Sequence, residues 1–172
     1  MCYFLTIGIH GSIAPEIKKV FPSDMAVWQC ENKNIMSRLP PECHGYAVTT
    51  GMCSCDIYHW ANNDPEEEIK KLKEKYRKKG WSKNKIDRAV EEAMAARSTK
   101  SSGLRAGARE AISRVATSFG VVHVFVHFYS GDQTTEEVTI NLGPTVKAEE
   151  FRSGEYVLAP DTLVRVVAKG ER

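Results

Sequence analysis

The chain begins with an apolar stretch, Cys2-Tyr3-Phe4-Leu5-Thr6-Ile7-Gly8-Ile9. Successive side chains of a β-strand point to opposite faces of the sheet, and here both faces would be apolar. Strands of this kind lie at the centre of a sheet that is covered on both sides. We therefore expect residues 2–9 to form a central strand.

Two more strands are expected before the middle of the chain, at residues 25–31 and 46–50. The first alternates loosely, with Ala26, Trp28 and Cys30 on one face. The second leads directly to Gly51, and a glycine after a β-rich run is typical of a strand end.

Three helices are predicted next. Asp64 and Pro65 are a good N-cap and first residue for the first helix, which Gly80 ends. Ser82 caps the second helix, and Gly120 closes the third. Apolar residues recur at helical spacing in each of them, so each helix has one apolar stripe.

After Gly120 the apolar period changes to two. Residues 121–129 alternate, a turn is expected at Gly131-Asp132, and Val138, Ile140 and Leu142 suggest the return strand of a hairpin. Residues 156–158 and 163–168 are expected to be the last strands.

The element order βββ-ααα-βββ predicts an α+β fold. We expect a mixed or antiparallel sheet of about six strands with the three central helices on one side. No repeat or domain boundary is visible, so residues 1–172 are predicted to form a single domain. In it, a basic helical segment, residues 64–119, is inserted between two strand-rich parts.

Composition limits the class of protein. The chain has 172 residues, of which 42% are hydrophobic and 27% are charged, as in ordinary globular domains. It has no apolar run of roughly 18 residues or more, so we expect no membrane span and no membrane partner. Five cysteines, an odd number, without a secretory signal indicate free thiols in a reducing cytoplasm.

Charge is segregated along the chain. Residues 70–114 contain 15 Lys and Arg against 5 Asp and Glu, giving +10. Residues 1–69 contain 4 against 9, giving −5, and residues 115–172 contain 5 against 8, giving −3. A basic middle between acidic ends favours an acidic partner or internal compensation.

The run Gly51-Met52-Cys53-Ser54-Cys55-Asp56 follows a predicted strand and has the strongest chemical character in the chain. Cys53 or Cys55 could be a nucleophile, with Asp56 and His59 as further catalytic candidates. The sequence does not place a histidine beside the thiols, and His44, His123 and His127 are alternatives to His59 as the base. A redox pair and buried structural thiols are further interpretations.

A zinc site would draw on Cys43, His44, Cys53, Cys55 and His59. Their spacing, C-x9-C-x-C-x3-H, is not the two-residue knuckle of usual zinc sites. We therefore expect no metal and no cofactor.

The start of the chain carries two resemblances. Met1-Cys2 resembles the start of N-terminal-nucleophile amidotransferases, whose nucleophile is a terminal cysteine, although their substrate-binding motifs are missing downstream. The segments Met1-Cys2-Tyr3-Phe4, Gly51-Met52-Cys53-Ser54-Cys55-Asp56-Ile57-Tyr58 and Lys79-Gly80-Trp81-Ser82 are similar to features of small bacterial proteins without an established activity. This similarity spans most of residues 1–90. It implies a bacterial cytosolic protein, and no catalytic role can be carried over from it.

Basic residues are the candidates for binding a partner. Residues 70–88 contain ten Lys and Arg and two acids, and more basic residues flank the following loop. The candidate set is Lys78, Lys79, Lys83, Lys85, Arg97, Lys100, Arg105 and Arg109. The alternatives are a solvated face, an acidic protein partner and a nucleic acid.

These observations favour a cytoplasmic protein that acts by binding an acidic protein partner. One version is an immunity protein that neutralises a toxin, because charge complementarity gives fast and specific association. The alternatives are a small cysteine-dependent enzyme using Cys53 or Cys55, and a nucleic-acid binder using the basic helices.

Overall fold

The structure is a computed structural model, and it describes residues 2–11, 14–59, 65–98 and 103–168. In chain order the elements are β1 (Cys2–His10), α1 (Ala14–Val20), β2 (Ala26–Gln29), α2 (Lys33–Met36), β3 (Cys43–Thr49), β4 (Tyr58–His59), α3 (Pro65–Lys78), α4 (Lys83–Ser98), β5 (Gly103–Leu104), α5 (Ala106–Phe119), β6 (Val122–Tyr129), β7 (Asn141–Lys147), α6 (Ala148–Ser153) and β8 (Thr162–Val167).

Six strands form one sheet in the order β2-β3-β1-β6-β8-β7. β1 lies between β3 and β6 and is antiparallel to both, whereas β7 and β8 are parallel. The predicted α+β fold with a mixed sheet of about six strands is confirmed. The central position expected for residues 2–9 is confirmed as well.

Both faces of the sheet are covered at β6. Phe125 and Tyr129 of β6 pack in one cluster with Ile35 and Leu39, which come from α2 and the turn after it. The alternate positions of β6, Val122, Val124 and Val126, are fully buried on the other face. Burial on both faces is what makes β1 and β6 the core of the sheet.

The predicted hairpin after residue 129 is wrong. β6 pairs with β1 and β8, and β7 begins only at Asn141 and joins β8 through the α6 crossover that parallel strands require. Val138 is buried in the cluster that contains Phe125. The apolar alternation of Val138 and Ile140 therefore belongs to a segment that lies over the face of the sheet and does not form the return strand of a hairpin. The strand predicted at residues 156–158 is also absent, because Leu158 is buried in a loop.

Contacts divide the chain into two compact units, residues 1–59 with 103–172, and residues 60–102. The second unit contains α3 and α4, which pack against each other and bury Ile86 and Val90 of α4. The predicted cap Asp64 lies outside the described residues. In the first unit β4 pairs with β5, which places His59 opposite Gly103. None of the helices in the described part of the chain is long and apolar enough to cross a membrane.

Two glycines position α2 on the sheet. Gly8 and Gly45 are directly opposite each other in the β1–β3 register. A Cβ atom on Gly8 would lie 2.7 Å from Leu39 Cδ2, and one on Gly45 would collide with Met36 Sδ. The absence of both side chains makes room for the α2 segment to cover this face.

Gly8→Ala should destabilise the protein by about 1–3 kcal/mol, because the buried Leu39 must move to admit the methyl group. Gly107→Ala is the matched control, since its added Cβ would lie 3.5 Å from the nearest atom, Pro22 Cγ, at the start of α5. Alanine favours helix over glycine, so this variant should be neutral or more stable by up to about 1 kcal/mol. Urea unfolding measures both, and a Gly8→Ala variant as stable as the parent would contradict the packing.

Candidate functional site: a cluster of three thiols

Three cysteine sulfurs from two separate segments meet at one end of the sheet. The Sγ atoms of Cys2, Cys53 and Cys55 all lie within 4.8 Å of one another. Cys2 is the first residue of β1, and the other two belong to the loop that follows β3. The sequence indicates Cys53 and Cys55 as candidate nucleophiles, and the structure places them beside Cys2, which was not grouped with them.

The loop reaches Cys2 because β1 is longer than its partner at this end. Pairing of β1 with β3 begins at Leu5 and Val48, so residues 2–4 have no partner in β3. The backbone turns at Gly51, whose φ of +70° suits glycine, and Thr50 N–H donates to the Cys53 carbonyl at 3.0 Å.

Ser54 fastens the loop to the free edge of β1. Its N–H donates to the Tyr3 carbonyl at 2.8 Å, and its Oγ accepts from Leu5 N–H at 2.8 Å. The same hydroxyl donates to the Val48 carbonyl at 2.6 Å, and the residue is fully buried. One side chain thus joins β1 to the end of β3 and holds the cysteines on either side of it against Cys2.

Backbone N–H groups point at two of the sulfurs. The Cys55 N–H donates to the Cys53 sulfur, and the pKa of Cys53 is lowered mainly for this reason. The neighbouring Cys55 and Cys2 thiols lower it further, whereas partial burial opposes them. Tyr3 N–H donates to the Cys55 sulfur at 3.3 Å. Each N–H group favours the thiolate form of the sulfur it contacts, and for Cys53 this effect prevails, so its pKa falls.

Cys55 titrates differently from Cys53. Cys55 as a residue is exposed, but partial burial of its sulfur is the largest influence that raises its pKa, to about 11. The nearby Cys53 and Cys2 sulfurs raise it further, against the opposing effect of the Tyr3 N–H. Three thiols this close resist simultaneous ionisation unless a cation compensates their charge.

The other predicted catalytic residues do not join the cluster. Asp56 accepts from the Thr50 hydroxyl at 3.4 Å, and its charge raises the pKa of Cys53 instead of assisting ionisation. His59 is exposed on β4, and in the described part of the chain no hydrogen bond or ion pair joins it to a cysteine. Catalytic roles for both stay predictions.

The zinc candidates of the sequence are divided between the two ends of β3. Cys43 begins the strand and packs in the cluster with Phe125, and His44 is exposed beside it. Six residue steps separate Cys43 from Thr49, or about 20 Å at 3.3 Å per residue, so neither can meet Cys53. Cys2 could have been found from the sequence by pairing the predicted central strand with residues 46–50.

The remaining histidines have other neighbours. His123 is buried, its Nδ1 has no hydrogen-bond partner, and its pKa is lowered first by burial and then by Arg165. His127 Nδ1 lies 2.5 Å from Asp161 Oδ1, and its Nε2 lies 3.5 Å from Glu136 Oε1. In the described residues neither imidazole contacts a thiol, so the structure does not supply Cys53 with a histidine base.

The eight basic candidates fall into three groups. Four are exposed around the connection of α3 and α4: Lys78, Lys79, Lys83 and Lys85. Arg105 and Arg109 have intramolecular partners, because Arg105 pairs with Asp24 at 2.8 Å and Arg109 donates to the Leu104 and Arg152 carbonyl oxygens. The Arg97 side chain and Lys100 lie outside the described residues.

Ser54→Ala should lower the free energy of unfolding by about 2–3 kcal/mol, because it leaves the buried Leu5 N–H without an acceptor. Ser37→Ala is the control, since Ser37 donates to the Asn34 carbonyl from an exposed position, and it should cost less than about 0.5 kcal/mol. Urea unfolding compares the two. Equal losses would show that Ser54 does not hold the loop.

Alkylation of the reduced, metal-free protein should distinguish the two loop thiols. A lowered pKa means that Cys53 becomes a thiolate below its ordinary value of 9.0, whereas Cys55 requires a pH of about 11. The initial rate of iodoacetamide labelling at each cysteine, followed by peptide mass spectrometry, should therefore rise at lower pH for Cys53. The buried Cys43, whose pKa burial raises, serves as the slow control. Labelling of Cys55 at lower pH than Cys53 would contradict the hydrogen-bond geometry.

Comparisons with known proteins do not extend this description. No protein-family model, no curated protein and no solved structure matches the chain. The function is therefore inferred from the residues and their geometry alone.

Proposed function

We propose that the protein binds a thiophilic metal ion, monovalent copper in particular, through the sulfurs of Cys2, Cys53 and Cys55. The observation that carries the proposal is the mutual approach of three sulfurs within 4.8 Å. Metal–thiolate bonds are about 2.3 Å long for zinc, so sulfurs sharing one ion lie about 4 Å apart. Only small side-chain movements would close the cluster around an ion.

The third sulfur favours metal binding over a two-thiol reaction. Thiol–disulfide exchange within one protein needs an attacking and a resolving thiol, and a Cys-x-Cys pair could supply both. Cys2 adds a third sulfur within 4.8 Å of both. Coordination makes use of all three, which is why the proposal departs from the expectation of no metal drawn from the spacing alone.

The donor set selects the kind of ion. All three donors are sulfur, which suits the soft ions Cu(I) and Zn²⁺ and iron–sulfur clusters. Structural zinc sites and most iron–sulfur clusters use four protein ligands. In the described part of the chain no further histidine, cysteine or carboxylate belongs to the group. Three thiolates therefore fit Cu(I), which is satisfied by fewer ligands, better than they fit the other two.

The surroundings of the sulfurs support a resident ion that can exchange. N–H groups donate to the sulfurs of Cys53 and Cys55, as do the outer-shell donors that orient metal ligands. Ser54 fixes the loop, yet Cys55 is exposed and the neighbouring Met52 side chain is 91% exposed. An ion at this position can be reached from solvent by a donor or acceptor molecule.

Titration of the reduced protein with Cu(I) under anaerobic conditions tests the proposal, with bicinchoninate as the competing ligand. We expect one ion per chain and an ultraviolet sulfur-to-copper charge-transfer band. Serine substitution at Cys2, Cys53 or Cys55 should each weaken binding by about 100-fold or more, since even outer-shell changes cost 10–100-fold. A parallel titration with zinc measures the preference between the ions.

Cys30→Ser is the matched control, because Cys30 is a free, half-buried cysteine outside the cluster. It should bind copper like the parent protein. Binding that survives Cys2→Ser would contradict a three-sulfur site, and zinc binding without copper binding would contradict the choice of ion. A parent protein that binds neither ion would overturn the proposal.

A further inference from the structure

The connection between α3 and α4 forms a defined surface, which we name the hairpin tip and define as residues 75–85. α3 ends at Lys78 and α4 begins at Lys83, with Gly80 at a φ of +72° between them. The rings of Tyr76 and Trp81 are stacked, 4.7 Å apart and within 3° of parallel. The backbone N–H of Trp81 also donates to the Tyr76 carbonyl at 3.3 Å, so a hydrogen bond and a ring contact both join the two residues.

The hairpin tip concentrates positive charge. Residues 75–85 contain six Lys and Arg and no acid. Ion pairs of the hairpin occur elsewhere along the helices, between Lys73 and Asp87 at 3.4 Å and between Arg88 and Glu92 at 3.2 Å. In the described part of the chain the exposed Lys78, Lys79 and Lys83 have no such partner. The tip therefore gathers exposed basic side chains with no acid among them.

An aromatic centre lies among these charges. Lys85 Nζ lies 4.2 Å from the centroid of the Trp81 ring, a cation–π contact. The Trp81 indole therefore contacts both the Tyr76 ring and the Lys85 ammonium group. Protein interfaces are enriched in tryptophan and tyrosine at their centres, and charged residues at the rim steer the partner.

The contacts of the Trp81 indole also help to distinguish a protein partner from a nucleic acid. Nucleic-acid binding without base-edge contacts uses aromatic rings on which bases stack, and stacking needs an open ring face. The Trp81 ring already contacts the Tyr76 ring and the Lys85 ammonium group, so less of it is open for stacking, whereas Lys78, Lys79 and Lys83 are exposed. Lysine ammonium groups around the paired Tyr76 and Trp81 rings can form ion pairs with carboxylates of a protein segment, and this favours such a segment over stacked bases.

We propose that the hairpin tip is a docking site for an acidic segment of a partner protein, and that Lys78, Lys79 and Lys83 bind its carboxylates. This activity is separate from metal binding and uses other residues. It retains the acidic partner predicted from the sequence and restricts its site to one end of the hairpin. That the partner is a toxin stays a prediction.

The test uses the full-length protein and two labelled probes of equal charge and similar length, a Glu- and Asp-rich peptide and an oligothymidylate. Fluorescence anisotropy measures the affinity for each probe at several salt concentrations. We expect the peptide to bind more tightly than the oligonucleotide. The double charge reversal Lys78→Glu with Lys83→Glu should weaken peptide binding by at least about tenfold, because like charges then face its carboxylates.

The control is the double reversal Lys18→Glu with Lys19→Glu, which changes the net charge equally at two exposed lysines of α1. It should alter peptide affinity much less than the tip variant does. Equal losses in the two variants, or no binding of the peptide to the parent, would overturn the proposal, and tighter binding of the oligonucleotide would favour a nucleic-acid partner instead. Cys53→Ser should leave peptide binding unchanged, so failure of metal binding and failure of docking are separate results.

Discussion

The edge of β1 imposes the constraint on which the thiol cluster depends. β1 continues beyond the last residue of β3 with which it pairs, and the N–H and C=O groups of that extension need partners. The Ser54 N–H donates to the Tyr3 carbonyl of this extension, its hydroxyl accepts from the adjoining Leu5 N–H, and the Cys55 sulfur accepts from the Tyr3 N–H. The cysteines are thus brought together by the completion of a sheet edge. The same residues, Ser54 and Cys55, that give the backbone of β1 its hydrogen-bond partners also hold the thiols together.

Sequence patterns predicted the parts of the fold that depend on local burial. Apolar residues on both faces identified β1 as central, and helical spacing together with caps and glycine stops identified α3, α4 and α5. The same reasoning failed after β6. The alternation at Val138 and Ile140 shows that one side of this segment is buried, but it does not show whether the segment pairs with a strand or lies over the face of the sheet. Which strand pairs with which is decided by contacts distant in the chain, and those leave no local signature.

The same limit explains what was missed at the site. Cys53 and Cys55 were recognisable because they are close in sequence, but about fifty residues separate them from Cys2. Conversely, Cys43 and His44 looked like ligands because they are close in sequence, although β3 carries them away to its other end. Placing the cysteines required the register of β1 against β3. The basic residues could be grouped without knowing any strand register, because four of the eight lie close together in sequence along the hairpin.

The pairing of β4 with β5 has a consequence for how the chain is assembled. His59 and Gly103 lie opposite each other, so the segment between them leaves and rejoins the first unit at one point. The entropy of closing such a loop grows only with the logarithm of its length, by about 0.6 kcal/mol for each doubling. The two-residue ladder therefore makes the first unit nearly indifferent to the length of the segment it carries. The sheet and its thiols keep the same connectivity whatever the length of the segment between His59 and Gly103.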